Sequence, residues 1–167
     1  MKRKSYKVAF LGLCTSLALI LAYAEAMIGP LFPAIPGVKM GLPNIIIVFL
    51  LYRSGIKSAV SVSLIRILLV STLFGNFMAF LYSLAGGILS LAVMILLKKV
   101  NFFSEVGVSV AGGVTHNVGQ ILMAMLLLET AEIGYYLVVL TVSGTVAGVL
   151  IGLCGAILVK KIPKRLI

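Results

Sequence analysis

Few residues in this 167-residue chain can do polar chemistry, and their spacing restricts what that chemistry can be. His116, the only histidine, stands directly before Asn117 and four residues before Gln120. At 100° per helical residue the three fall within an arc of about 100° and share one helix face. Gly112, Gly113 and Gly119 flank them, so the face is both polar and roomy, as expected of a wall that reads a polar small molecule. A lone histidine among apolar helices also serves as a helix-to-helix hydrogen bond, and that reading stays beside the first. Arg66 interrupts a long uncharged run, nine residues after Lys57 and nine before Gly75. It is either held by an ion pair or a carbonyl clamp, or it is an anchor for an anionic ligand. Glu25 could pair with Lys39 or Arg66 or face a ligand's donor groups. Lys39 and Asn44 belong to a Gly- and Pro-rich segment that reads equally as a lid or cavity floor and as an ordinary turn. Glu25, Lys39, Asn44, Arg66, His116, Asn117 and Gln120 are therefore the candidate ligand-binding residues.

Other chemistries are excluded by what the chain lacks. Its four acids are Glu25, Glu105, Glu129 and Glu132, and there is no aspartate, so no aspartate pair can hold Mg²⁺. One histidine and two cysteines, Cys14 and Cys154, the latter read as packing thiols set at another depth, cannot assemble the three or four ligands of a metal site. The nearest approach to a phosphate loop, Gly55-Ile56-Lys57-Ser58, lacks the glycine-rich turn and the glycine directly before the lysine. No catalytic residue, metal or cofactor is expected. Any ATP-driven step would need ATPase partners.

The elements that must position these residues are membrane helices. The chain is 62% hydrophobic and 11% charged, with a mean hydropathy of +1.23, against about 25% charged in a soluble domain. Apolar runs place six transmembrane helices near 8–29, 38–52, 56–74, 76–97, 106–128 and 133–159, in one all-α domain covering 1–167. The second run is the odd one out. Its clearly apolar part, Asn44 to Tyr52, reaches only about 14 Å at 1.5 Å per residue. Between the first two runs, Pro30, Pro33 and Pro36 forbid regular helix. Twelve of the fourteen Lys and Arg lie before the first run, after the second, after the fourth and at the end. By the positive-inside rule both termini are then cytoplasmic, in a multi-pass protein of the cytoplasmic membrane. The net charge of +10 reflects these topology signals and contacts with anionic lipid, not nucleic acid. Ala22-Tyr23-Ala24 resembles a signal-peptidase site, but Ala18, Ala22 and Ala26 repeat at helix-packing intervals, and the first run is expected to stay as a helix. The Gly144, Gly148, Gly152 ladder in the last run either packs inside the bundle or offers a docking face to another subunit. No sequence echo relates the two halves of the chain.

The stretch Pro33-Ala34-Ile35-Pro36-Gly37-Val38-Lys39-Met40-Gly41-Leu42-Pro43-Asn44, together with His116-Asn117-Val118-Gly119-Gln120, resembles the Gx transporter family, also called heptaprenyl diphosphate synthase component I, over nearly the whole chain. That family in turn resembles the substrate-binding S components of energy-coupling factor (ECF) transporters. The resemblance implies six helices with cytoplasmic termini and a site near the outer face. It also implies docking on a transmembrane coupling subunit that carries two ATPases, with toppling of the S component to release its ligand inside. S components often dock through an Ala-xxx-Ala pattern on the first helix; here Ala9, Gly12 and Ser16 occupy the corresponding cytoplasmic half, beside the glycine ladder as a further docking candidate. The synthase name conflicts with the absence of Asp-rich Mg²⁺-diphosphate motifs, so no catalytic role is expected. The leading expectation is a substrate-capturing importer subunit for a small vitamin-like or quinone- or isoprenoid-related metabolite, anionic or amphipathic. The alternatives are a non-catalytic membrane subunit that assembles an enzyme complex and a solitary secondary transporter.

Overall fold

The computed structural model describes residues 2–28 and 41–163. Among them every regular element is helical. These are α1 (Lys2–Ile28), α2 (Asn44–Arg53), α3 (Ile56–Phe74), α4 (Phe77–Val100), α5 (Glu105–Leu128) and α6 (Tyr136–Lys161), with a 3-10 turn over Ala131–Tyr135 before α6. The connections are short and built from the residues that end helices. Gly55, at φ +90°, separates α2 from α3. Asn76 caps α4 by accepting the Ala79 N–H at 2.8 Å, and Ser104 caps α5 by accepting the Gly107 N–H at 3.2 Å. Such links force successive helices to run antiparallel.

Five of the helices are long and apolar enough to cross a membrane. Their outward faces are as apolar as their inward ones: Val138 is 73% and Leu126 72% exposed, which only a lipid solvent tolerates over a whole surface. The protein is a multi-pass membrane protein. The second of the six expected spans differs from the rest. Within 38–52 the described helix begins at Asn44 and is ten residues long, about 15 Å of rise against a hydrocarbon core of about 30 Å. Ile46 to Leu51 are all buried, so this half-length helix is wrapped by its neighbours on every side, as a helix apolar all round must be. It packs against α1, α3, α5 and α6.

The rest of the bundle is assembled by close helix contacts. A Cβ added at Gly119 would stand 2.8 Å from the Gly86 Cα, and one at Gly148 would stand 2.6 Å from the Val110 Cα. These glycines let α4, α5 and α6 approach backbone to backbone, the geometry by which helices associate without a hydrophobic driving force. The Gly144, Gly148, Gly152 ladder faces α5 throughout, so the surface considered for subunit docking is covered within the bundle. Cys14 is buried as expected of a packing thiol, whereas Cys154 is exposed on the outside of α6.

One end of the bundle is tied by cations. The Arg53 guanidinium donates to the Val159 carbonyl, and the Lys98 ammonium donates to the Leu51 carbonyl while lying 5.2 Å from the Tyr52 ring centroid. The last turns of α2, α4 and α6 thus meet at one level, their partly negative carbonyl ends neutralised by basic side chains. Gly12 and Ser16 on α1 are exposed, as is Ala9, and nothing lies within 4 Å of where a Gly12 Cβ would be.

Candidate ligand-binding cavity

Because α2 fills only the basic half of the bundle's centre, the opposite half is left with space. A cavity of about 290 Å³ occupies it. Its walls are the second half of α1 (Ala22, Glu25, Ala26), the entry to α2 (Gly41, Pro43, Asn44), the second half of α3 (Arg66 to Phe74) with Gly75 after it, the start of α4 (Ala79, Ser83) and the middle of α5 (His116, Asn117, Gln120). Small side chains line much of it, which is why neighbouring helices leave room there.

The polar side chains are held in place by specific contacts. Glu25 is 8% exposed, and its Oε1 accepts the Gly41 N–H at 2.6 Å. This fixes the entry to α2 against α1. Gly41 has φ +74°, and a Cβ there would meet Asn44 Nδ2 at 3.2 Å, so both backbone conformation and space favour glycine at this turn. The first amides of α2 are closed by the preceding turn, Asn44 N–H to the Gly41 carbonyl at 2.8 Å and Ile45 N–H to the Leu42 carbonyl at 3.1 Å. The helix therefore directs the positive end of its dipole at the cavity without offering these donors. Arg66 reaches across from α3, where its Nη2 donates to Asn44 Oδ1 at 3.4 Å, a long bond. Glu25 acts on it electrostatically. Arg66 Nε is buried and has no hydrogen-bond partner.

On the far wall, Asn117 Nδ2 donates to the Leu140 carbonyl of α6 at 2.6 Å. The bare α-carbon of Gly144 makes the space, since a Cβ would lie 2.7 Å from that nitrogen. Gly86 does the same for α4: its Cβ would stand 2.7 Å from the His116 carbonyl and 2.9 Å from Gln120 Cγ. A helix-to-helix bond is made by Asn117, beside His116, and Asn117 thus both clamps α5 to α6 and lines the cavity.

Six of the seven residues picked out by type and spacing, Glu25, Asn44, Arg66, His116, Asn117 and Gln120, stand on this one cavity. The seventh, Lys39, lies outside the described residues. For Glu25 the described partners are Gly41 and, through charge, Arg66. The sequence did not single out Ser71, Ala79 or Ser83, which also line the space, because small and hydroxyl residues are as common in plain helix packing. Among the described residues the site offers hydrogen-bonding side chains, one cation, Arg66, and one carboxylate, Glu25, between apolar walls. Among the described residues no three His, Cys, Asp or Glu side chains gather as a metal ion would need.

Comparison with curated proteins and with solved structures returns no match. A scan against protein families matches residues 14–158 to "Heptaprenyl diphosphate synthase component I". That match takes in α2 to α5 whole and most of α1 and α6, and with them every described residue of the cavity; the chain belongs to the heptaprenyl diphosphate synthase component I family.

Proposed function

We propose that this protein is a substrate-capturing membrane subunit that binds a small vitamin-like or quinone- or isoprenoid-related metabolite in the cavity beyond α2 and passes it on through partner subunits, as S components of ECF transporters do. One observation carries the reading. Arg66, a half-buried cation on the cavity wall, keeps a buried Nε–H without a hydrogen-bond partner, and a buried donor left unmade costs about 1–3 kcal/mol that a bound acceptor would recover. The cavity lies in the half of the bundle away from the basic ends of α2, α4 and α6. With those ends cytoplasmic, the site would fill from outside. At about 290 Å³ it does not enclose a whole seven-isoprene tail. No ATP-binding loop is present in the sequence, so an ATP-driven cycle would use a coupling subunit and two ATPases docked on the exposed Ala9, Gly12 and Ser16 of α1.

The family name supports a second reading, a non-catalytic membrane subunit of a prenyl diphosphate synthase. Affinity purification from membranes separates the two. Co-purification of a coupling subunit with ATPases, lost in Gly12→Leu, supports capture and import; co-purification of a soluble prenyl synthase subunit without ATPases supports assembly and contradicts the importer role.

A further inference from the structure

The walls of the cavity change character along its length. On α3 the lining runs from Arg66 through Ile67, Val70 and Ser71 to Phe74, eight residues or about 12 Å of helix rise. Ile67 is 3% exposed and Phe74 48%, with Val70 and Ser71 half-buried between them. The same gradient runs along α1, where Ala22 is buried and Ala26 exposed, and toward the start of α4, where Ser83 and Ala79 are half-buried and Gly75, just before the helix, is exposed. Three walls thus reach the protein surface at one place. Tyr23 of α1 and Phe74 of α3 are in ring contact there, with 5.2 Å between centroids, so the cavity has a mouth where the end of α1 meets the turn from α3 to α4.

That mouth is rimmed by apolar side chains. Besides Phe74, the exposed residues of these helix ends include Tyr23 and Met27 of α1, Leu73 of α3, and Phe77 and Met78 of α4. Farther in stand Arg66, whose buried Nε–H has no hydrogen-bond partner, and Asn44, to which Arg66 Nη2 donates at 3.4 Å. A guest therefore meets a hydrogen-bond donor at one end and hydrocarbon at the other. A polar group left outside this mouth would stand among apolar side chains and lipid without partners, a costly placement. A hydrocarbon chain loses nothing there.

Resting on the capture reading, we infer that the ligand is an amphiphile with a hydrocarbon chain: its head sits in the cavity and accepts the Arg66 Nε–H, and its chain leaves through the mouth beside Tyr23 and Phe74 into the surrounding lipid. The volume of about 290 Å³ then limits the head alone, since the chain is not enclosed. The ligand enters sideways from the bilayer, and Phe74 and Ala26 stand where the chain must pass.

The protein contains no tryptophan, so Phe74→Trp places a single fluorophore at the mouth. In vesicles of brominated phosphatidylcholine its emission should be strongly quenched, and iodide in the water should have little effect. Quenching by iodide instead, or by neither, would overturn the inference. Mass spectrometry of aqueous and organic extracts of the purified protein supplies the second readout, counting as specific only what a folded Arg66→Ala variant loses. The wild type should release a specific, chain-bearing molecule into the organic phase. Ala26→Phe, which adds bulk at an exposed position on the rim, should retain about tenfold less of it, since lost contact for about two methylene groups is enough to do so. A specific metabolite without a hydrocarbon chain, or a chain-bearing one held equally by Ala26→Phe, would overturn the inference and leave the capture reading standing. A folded wild type that releases no specific metabolite would overturn the capture reading, and this inference with it.

Discussion

At the scale of single residues, Arg66 and Asn117 have different tasks although both line the cavity. Asn117 holds α5 to α6 through the Leu140 carbonyl, so Asn117→Ala should lower stability by about 0.5–1.5 kcal/mol, read as a drop in the thermal midpoint in detergent. Gln120→Ala removes a cavity-lining amide and should stay within about 0.5 kcal/mol of wild type in the same assay. An equal loss in both would mean that the clamp is not specific to Asn117. Both residues were legible in the sequence for one reason: an amide or a charge within an apolar run is costly unless it does something, so Glu25, Asn44, Arg66, His116, Asn117 and Gln120 declare themselves by type. Alanine, serine and glycine do not, because they are at home in any helix seam. Ala22, Ser71 and Ser83 became site residues only through their places in the fold. Which partner each polar group takes was likewise hidden, since Glu25 and Gly41 are joined across the connection between α1 and α2.

At the scale of elements, the half-length of α2 creates the site. A full-length second helix would occupy the bundle's centre from end to end; beginning only at Asn44, it leaves the opposite half to the cavity. The shortness of that apolar run was readable from its length and bounding prolines, and its central burial follows from being apolar on every face. The role of the glycine ladder was not decidable, because Gly144, Gly148 and Gly152 would serve a partner helix or a neighbouring one equally well by spacing. The structure gives them to α5. Gly148→Leu should therefore break the α5–α6 seam and abolish recovery of monodisperse protein by size-exclusion chromatography, whereas Gly12→Leu, with nothing within 4 Å, should leave stability within about 0.5 kcal/mol. A well-behaved Gly148→Leu protein would contradict this packing.

At the scale of the whole molecule, an apolar exterior, a cation-tied end and a cavity toward the other end describe a protein with a direction. The orientation expected from the charge pattern is testable: Lys99→Cys should react with an impermeant maleimide only after the membrane is opened, and Glu132→Cys should react in intact cells. The reverse pattern would put the cavity on the cytoplasmic side and contradict uptake from outside. The central claim, that the space beyond α2 captures a small molecule through Arg66, is tested most directly by mass spectrometry of metabolites released from purified wild-type protein and from an identically handled, folded Arg66→Ala variant. The account predicts one metabolite present in the first and absent from the second. A folded wild type that releases nothing, or a metabolite retained equally by both proteins, would contradict it.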